Sequence, residues 1–367
     1  MKKTLFTITF LFLSLYSCNN SNVKMISFTR EDFPKTYNLT NPTKIELNSS
    51  ESVSMPVAFW VIRDSIVIVQ NNTNDKSAID LYSLADNSFR FHVAPRGRGP
   101  GEFINANFTI NYNDEDVFYL DDGINRYTIN IDSTLNKRKA HITNFFSYYR
   151  ENNHTLIPVN ILNKKEYLSY NLWYINEDGY SNNIPPFTKY NMDAKDSTGN
   201  MKNNNFKYFP GSVNGASIFS NRNNGEIWLA DLHKDEICIY NSSLKHLKTI
   251  SGPDHLTPRF TLTETRELSM LTFANNQDFR TYSSYVLTDD YVYIIYQGII
   301  GVDYDELQLM NLPPSEIFKF TWKGELAVNY KLDKYARTIS IAENGKYLYI
   351  TSLQDYGANP VLYRYEL

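Results

Sequence analysis

One short strand pattern recurs along this chain at a spacing that few folds accommodate. The pattern is a run of four residues, mostly aromatic or β-branched, that occurs six times, at 79–82, 126–129, 172–175, 237–240, 317–320 and 362–365. The last residues of successive runs are 47, 46, 65, 80 and 45 positions apart, so the period is near 46 residues with two long insertions. A period of about 40–50 residues is typical of the four-stranded blades of a β-propeller.

The composition favours an all-β fold with a large core. Hydrophobic residues make up 42% of the chain, which has 28 Tyr and 22 Phe. Helical periodicity is nearly absent, and only 263–273 is predicted to form a helix. We therefore predict an all-β, six-bladed β-propeller with four-stranded antiparallel blades.

Because 36 basic residues are balanced by 40 acidic ones, the chain lacks the basic excess that nucleic-acid binding requires.

The ends of the chain predict how the ring of blades closes. The last copy of the repeat stops at Leu367, immediately after its third strand. Its missing fourth strand is predicted at 43–48, before the first blade opens near Pro56. An N-terminal strand in the last blade would close the ring and protect the sheet edges. The propeller is accordingly assigned to 42–367.

The N-terminus has the features of an export signal with an anchor. Lys2 and Lys3 precede an apolar run at 5–16, which is too short to span a bilayer and is typical of a signal peptide, here 1–17. The end of this segment, Leu15-Tyr16-Ser17-Cys18, resembles the lipobox of bacterial lipoproteins and predicts lipid attachment to Cys18. Residues 18–41 would then be a tether on the outer membrane, at its periplasmic or its surface face. The alternative is an incidental cysteine in the signal peptide.

The second cysteine lies in a strand-like run and has no partner for a disulfide. Cys238 stands within 236–240, and with Cys18 acylated it is predicted to be a buried free thiol without chemistry.

A glycine-rich segment between the first two blades carries a family resemblance. The motif is Arg96-Gly97-Arg98-Gly99-Pro100-Gly101-Glu102-Phe103. With a lipobox before it and an early pair of strands, this motif resembles that of the TolB-like six-bladed propeller lipoproteins of Bacteroidetes, over roughly 40–367. The resemblance implies a propeller on a lipid anchor in the cell envelope, and it implies no catalytic residues. A dinucleotide-binding loop is rejected because Pro100 and a strand follow where a helix would be needed.

Two readings of this segment stay open. In the architectural reading, Gly97, Gly99 and Gly101 permit a tight bend, and Glu102 fixes the corner by pairing with Arg96 or Arg98. In the functional reading, Arg96 and Arg98 present hydrogen-bond donors to an anionic ligand at the mouth of the channel.

Four long connections are predicted to lie on one face of the propeller. In this fold, the loop that leads into the next blade and the loop between the second and third strands lie on the same side. The segments 95–103, 184–214, 251–281 and 297–314 are all of these kinds, so this side is the predicted working face. Within 184–214, Tyr190, Tyr208 and Phe209 are candidate contacts for a glycan or peptide. The alternative is that these aromatic side chains pin a long loop to the propeller.

The chain shows no motif of nucleophilic or zinc chemistry, and no cofactor or metal is predicted. The carboxylates of 303–306 and of Asp121 and Asp122 lack the spacing of a calcium loop, so solvated turns are the preferred interpretation. The leading hypothesis is a non-catalytic recognition or scaffold module that binds a glycan, peptide or envelope protein on the working face. The competing hypothesis is a hydrolase or lyase with its site at the mouth of the channel.

Overall fold

A computed structural model gives the structure of the chain. It describes residues 23–48, 56–71, 76–104, 106–112, 114, 116–122, 125–147, 150–151, 154–155, 157–161, 166–170, 187–191, 196–200, 216–257, 260–264, 269–273, 279–300, 311–355 and 360–367. Between 146 and 216, and between 258 and 279, the description covers the backbone of short strands only. The predicted signal peptide, Cys18, Tyr208 and Phe209 lie outside the described residues.

Five antiparallel blades with packed side chains form the body of the protein. In blades 1 to 4, each strand pairs with the next strand along the chain, from the first strand to the fourth. The strands are β4 (Pro56–Ile62), β5 (Ile66–Asn71), β6 (Ser77–Ser83) and β7 (Phe89–Pro95) in blade 1; β8 (Asn107–Ile110), β9 (Val117–Asp121), β10 (Asn125–Asn130) and β11 (Ile142–Ser147) in blade 2; β18 (Ala216–Ser220), β19 (Ile227–Asp231), β20 (Glu236–Tyr240) and β21 (His246–Ser251) in blade 3; β24 (Phe279–Leu287), β25 (Tyr291–Ile300), β26 (Glu316–Thr321) and β27 (Leu326–Leu332) in blade 4; and β28 (Thr338–Ile341), β29 (Tyr347–Thr351) and β30 (Val361–Glu366) in blade 5.

Smaller elements complete the described part of the chain. A further antiparallel sheet between blades 2 and 3 in the sequence is described by its backbone pairing alone, and two short hairpins accompany it. These elements are β14 (Ile157–Ile161), β15 (Glu166–Tyr170), β16 (Phe187–Asn191) and β17 (Asp196–Asn200) in the sheet; β12 (Arg150–Glu151) with β13 (His154–Thr155), and β22 (Phe260–Glu264) with β23 (Ser269–Phe273), in the hairpins; one helix, α1 (Ile131–Lys137); and two 3-10 turns, Arg30–Asp32 and Leu353–Asp355.

The recurring sequence run is the third strand of each of the five blades. It coincides with β6, β10, β20, β26 and β30. The aromatic residues that end this run in four blades are buried, namely Tyr82, Tyr240, Phe320 and Tyr365. A third strand lies inside its sheet and between two neighbouring sheets, so both of its faces are apolar, and this is why the run is recognisable in the sequence.

The prediction of six blades, each with four antiparallel strands, is wrong as it was stated. Among the residues whose side chains are described, the structure shows five blades. Two of these blades have five strands instead of four. The third predicted run, 172–175, lies outside the described residues. The third strand of the sheet described in that region is β16.

The predicted closure of the ring is confirmed. Strand β3 (Thr43–Glu46) pairs antiparallel with β30 and completes blade 5 as its fourth strand. Ile45 and the following Leu47 are buried in the core between blades 5 and 1. Both ends of the chain therefore contribute to one sheet.

Residues upstream of β3 belong to the fold rather than to a tether. Strand β1 (Lys24–Ser27) adds to the outer strand β21 of blade 3, and β2 (Thr36–Leu39) adds to the outer strand β27 of blade 4. Both pairings are parallel. The added strands β1 and β2 are the fifth strands of the two five-stranded sheets. The tether predicted at 18–41 thus ends before Lys24. We call residues 24–39 the strap.

The strap seals the outer gap between blades 3 and 4 with two aromatic side chains. Phe28 and Phe33 are buried beside Phe318, at ring-centroid distances of 5.8 and 5.1 Å. Gly252 permits this approach, because a Cβ atom at that position would overlap the carbonyl oxygen of Phe28. The strap therefore extends the core shared by the two blades.

A charged clamp fixes the middle of the strap. The Arg30 guanidinium donates two hydrogen bonds to the Asp254 carboxylate, at 2.6 and 2.9 Å, and one to Glu316 Oε1 at 2.5 Å. Arg30 also lies over the Tyr296 ring, 5.6 Å from its centroid. The hydrogen bonds from Arg30 lower the pKa of Asp254. This two-point pairing holds the strap against both blades.

The sequence analysis predicted a helix where a hairpin forms, and it did not predict the helix that is present. The predicted helix at 263–273 is the hairpin β22–β23, in which β-branched and aromatic residues favour a strand. The helix that does form, α1, joins the third and fourth strands of blade 2, and the Asn130 side chain caps it by accepting from the Ser133 amide at 2.8 Å. Its short length leaves little periodicity to detect.

The strap yields a direct test of its structural role. Phe28→Ala should lower the free energy of unfolding by about 3–5 kcal/mol, because it opens a cavity in the core between blades 3 and 4. Met25→Ala is the matched control on the same segment. Met25 is 58% exposed, so its replacement should change stability by less than about 0.5 kcal/mol. Equal effects of the two variants in urea unfolding would contradict the sealing role.

Candidate binding face

The loops of this propeller divide between two faces. Connections between second and third strands, and those between blades, lie on one face, which we call the loop face. Turns between first and second strands, and between third and fourth strands, lie on the other, which we call the turn face. The Thr281 amide donates to the Leu232 carbonyl at 2.7 Å, which joins the start of blade 4 to the second connection of blade 3 on the loop face.

The turn face is bridged across the axis. Tyr112, which follows the first strand of blade 2, places its ring 6.0 Å from that of Tyr285 in the first strand of blade 4. Arg222, in the first turn of blade 3, donates to the Tyr112 carbonyl at 3.5 Å and pairs with Asp289. Burial raises the pKa of Tyr112 and of Tyr285. These contacts join blades 2, 3 and 4 on the turn face.

The segment from Arg96 to Phe103 is a closed loop on the loop face. Its ends are joined because the Phe103 amide donates to the Pro95 carbonyl at 2.8 Å and the Gly97 amide donates to the Phe103 carbonyl at 3.2 Å. Phe103 is buried in the core between blades 1 and 2, with its ring edge-on to Tyr127 at 5.4 Å. The loop is therefore anchored at its base.

Glu102 fixes the corner of this loop through the backbone. Its carboxylate accepts a hydrogen bond from the Gly99 amide at 2.8 Å, and its own amide donates to the Gly99 carbonyl at 3.0 Å. A Cβ atom on Gly97 would overlap Glu102 Oε2, so glycine is required there. Gly101 has a φ of +82°, a left-handed conformation that favours glycine. A corner built on Glu102 was predicted, although the Gly99 amide was not foreseen as its partner.

The two arginines of the loop have different surroundings. Arg96 donates to the carbonyls of Ile104 and Asn71, at 3.0 and 3.1 Å, so its side chain braces the loop. Arg98 is exposed, and among the described residues it makes no hydrogen bond or ion pair. The geometry therefore assigns bracing to Arg96 and leaves the Arg98 guanidinium available to a ligand.

Two exposed apolar side chains adjoin the base of the arginine loop. Ile104 directly follows the loop and is 61% exposed. Phe145, on the outer strand of blade 2, is 60% exposed, and its ring lies 6.1 Å from that of Tyr127. Since Tyr127 also contacts Phe103, a row of aromatic rings connects the buried base of the loop to the surface. A cation beside exposed apolar groups is a combination that binds amphipathic ligands.

A layer of amides joins blades 1 and 2 beneath the loop. Gln70 donates to the Asn107 side chain at 2.7 Å and accepts from the Phe108 amide at 3.2 Å. On the other face of blade 1, Asn71 donates to the buried Asp80 carboxylate at 2.8 Å, and His92 contacts the same carboxylate at 2.7 Å. These hydrogen bonds fix the strands of blades 1 and 2 between which the arginine loop runs.

Two buried carboxylates lie on the loop face of blade 3. Burial raises the pKa of Asp231 to about 7 and that of Asp235 to about 6. Asp231 accepts from the amides of His233 and Lys234, whereas Asp235 accepts from the hydroxyls of Tyr282 and Tyr296. All of these partners belong to the fold, so the two carboxylates serve to organise the connections of this face.

The carboxylates considered as calcium ligands are engaged elsewhere. Asp121 forms a buried ion pair with Arg126 at 2.5 Å, and Asp122 accepts from Asn125 and from the Tyr127 hydroxyl. The described residues contain no group of three or more His, Cys, Asp or Glu side chains placed to hold a metal ion. The acidic run at 303–306 lies outside them.

The remaining predicted residues are placed only in part. Tyr190 lies in β16, paired with Tyr167 of β15, so it belongs to a sheet and not to a free loop at 184–214. Cys238 is a buried free cysteine as predicted, and burial raises the pKa of its thiol to about 12. Sequence reasoning missed Ile104 and Phe145, because one exposed apolar residue in a strand-rich chain gives no periodic signal.

Sequence and structure together assign the chain to a known class of propeller. The profile of the family described as TolB-like 6-blade propeller-like matches residues 32–344, and the chain belongs to this family. The family description specifies six blades, whereas packed side chains are described here for five. No curated protein matches the sequence.

Two solved structures from Bacteroides share the fold. A member of the DUF4221 family from Bacteroides vulgatus is similar with a TM-score of 0.58 and 9% identity, over 89% of this chain and 96% of that one. A predicted exported protein from Bacteroides fragilis is similar with a TM-score of 0.53 and 12% identity, over 94% of this chain and 99% of that one. At these identities the similarity concerns the fold alone.

The corner of the arginine loop is testable by a double-mutant cycle. Gly97→Ala should lower the free energy of unfolding by about 1–3 kcal/mol because the new methyl group overlaps Glu102. In a Glu102→Ala background the same substitution should cost about 1 kcal/mol less. Gly101→Ala is the control, since a Cβ atom there meets nothing within 4 Å and its cost should not depend on residue 102. Additive effects of Gly97→Ala and Glu102→Ala would contradict this geometry.

The buried carboxylates predict a pH dependence of stability. The pKa of Asp231 is raised from 3.8 to about 7 in the folded state, so between these values the folded chain binds the extra proton. This contribution to stability is therefore present below about pH 4 and is lost as the pH rises through about 7. Asp231→Asn should flatten the dependence between about pH 4 and pH 7, measured by urea unfolding. An unchanged slope would contradict the assignment.

Proposed function

We propose that this protein is an envelope lipoprotein whose propeller acts as a non-catalytic recognition module. The observation that carries the proposal is the arginine loop, which carries the exposed Arg98 and is directly followed by the exposed Ile104. Loops held by a rigid scaffold are where binding groups concentrate. The preferred ligands are glycans, peptides or protein segments that combine an anionic group with an apolar one.

The chemistry of the loop face supports recognition rather than turnover. Asp231, Asp235, Glu102 and Asp121 are engaged by backbone amides, tyrosine hydroxyls or Arg126. A catalytic acid or base needs a proton in reach of a substrate, and no observation among the described residues favours the alternative of a hydrolase or lyase.

The proposed cellular location is supported by the N-terminal sequence and by one structural relative. The signal peptide at 1–17 and the lipobox ending at Cys18 support export and lipid attachment, and the structural relative from Bacteroides fragilis is a predicted exported protein. No helix among the described residues is long and apolar enough to cross a membrane. We propose attachment to the outer membrane through lipid on Cys18.

Lipid attachment has a simple test. Cells that express the full chain are grown with a labelled fatty acid, and the label on the purified protein is measured. The wild-type chain should be labelled, whereas Cys18→Ala should not, because the thiol is the attachment point. Cys238→Ala is the control and should keep its label, since that thiol is buried. Undiminished labelling of Cys18→Ala would contradict the anchor.

Ligand binding is tested by thermal shift against a panel of probes. The panel contains neutral and sulfated oligosaccharides together with neutral and acidic peptides that carry an apolar residue. A probe that binds the folded chain raises the melting temperature. Arg98→Ala should weaken binding of such a probe at least several-fold, on the scale of about 1.5–3 kcal/mol for a charge-assisted hydrogen bond, with no change in the melting temperature of the free protein.

Arg96→Ala provides the matched comparison. Because Arg96 donates to the Asn71 and Ile104 carbonyls, its loss should lower the melting temperature of the free protein. If Arg98→Ala binds every probe as the wild type does, the loop is architectural only and this part of the proposal is wrong.

A further inference from the structure

The direction of the first strand determines where the anchored end of the chain leaves the propeller. β1 runs parallel to β21, with Lys24 opposite Lys248 and Ser27 opposite Ser251. β21 runs from the turn after Tyr240, on the turn face, toward the connection after Ser251, on the loop face. Residues upstream of Lys24 therefore approach from the turn face, opposite the arginine loop.

The distance from the anchor to the fold is short. Lys24 lies six positions after Cys18, and a fully extended chain of that length spans at most about 20 Å. A lipid on Cys18 therefore holds the turn side of blades 3 and 4 close to the bilayer surface.

The surface in this position carries a cluster of lysines. Lys24 on β1, Lys245 in the last turn of blade 3 and Lys323 in the last turn of blade 4 are all exposed. Lys248 lies between them, opposite Lys24 in the sheet, and its ammonium group donates to the Lys323 carbonyl. These are four basic side chains on one corner of the molecule.

Charged neighbours act on the half-buried member of this cluster. Burial lowers the pKa of Lys248, Lys24 lowers it as well, and Glu226 and Glu325 raise it. The four lysines outnumber these two glutamates, whereas the whole chain carries a net charge of −4.

An exposed apolar side chain accompanies Lys24 on the strap. Met25, the next residue, is 58% exposed. A basic residue next to an exposed apolar side chain suits the headgroup layer of an anionic membrane.

From these observations we propose that the turn-side edge of blades 3 and 4, with Lys24, Met25, Lys245 and Lys323, rests on anionic phospholipid headgroups. The loop face is then directed away from the membrane. This inference rests on the proposed lipid anchor, and it adds to the anchor a defined orientation of the propeller.

The orientation is tested with the full lipidated chain in vesicles of phosphatidylethanolamine and phosphatidylglycerol. Met25→Cys and Ile104→Cys are labelled separately with a fluorophore, and quenching by a nitroxide-bearing lipid is measured. The two sites are matched, being 58% and 61% exposed, and Cys238 is buried. Quenching at residue 25 should exceed that at residue 104 by about threefold or more, because side chains in the headgroup layer lie within about 10 Å of the quencher.

Charge reversal tests the lysines themselves. Lys245→Glu with Lys323→Glu should reduce the quenching at residue 25, and the loss should be smaller in phosphatidylcholine vesicles, which carry no net charge. The control is Lys139→Glu with Lys346→Glu, the same charge change at exposed turn-face residues of blades 2 and 5, which the strap does not touch. The control should leave the quenching unchanged.

The outcomes separate this inference from the anchor. Equal quenching at residues 25 and 104 in a chain that floats with vesicles, or stronger quenching at 104, overturns the orientation and leaves the anchor intact. Equal effects of the two charge-reversed pairs overturn the role of the lysines. A chain that does not float with vesicles contradicts the lipid anchor, and this inference with it.

Discussion

The structure depends on the burial of each third strand between two neighbouring blades. In blade 1, Ile79 and Leu81 of β6 pack into the core shared with blade 2, whereas Tyr82 packs into the core shared with blade 5. One strand thus contributes to two cores, and no blade can bury both of its faces alone. The sheet at the end of the chain must consequently meet the sheet at its beginning, and β3 makes that junction.

The features that were predictable from sequence are those that this burial imposes. The third strands of five blades were recognisable because they are apolar on both faces, and the closing strand was recognisable because the last copy is one strand short. Pairing at the outer edges was not predictable. β1 and β2 are each exposed at three of four positions and add in parallel to strands far along the chain. A four-residue edge strand has no sequence pattern that distinguishes it from a tether.

The bend of the candidate site could be predicted from its glycines, whereas the hydrogen-bond partners of its arginine side chains could not. The glycines of the arginine loop and the corner at Glu102 follow from the motif, because a close approach of carboxylate to backbone excludes a Cβ atom at Gly97. Arg96 braces the loop and Arg98 does not, because the carbonyls of Asn71 and Ile104 lie within reach of Arg96. Such contacts join distant parts of the chain, and no local pattern reveals them.

The pairing of the N-terminal strands has a consequence for the order of folding. β1, β2 and β3 are synthesised before the blades, yet their partners β21, β27 and β30 lie in the second half of the chain. Contacts between residues so distant in sequence form late in folding, because the entropy cost of closing a long loop comes before the contact stabilises the chain. The ring therefore cannot close before β30 has been made, which would suit the proposed export of the chain across a membrane in an unfolded state.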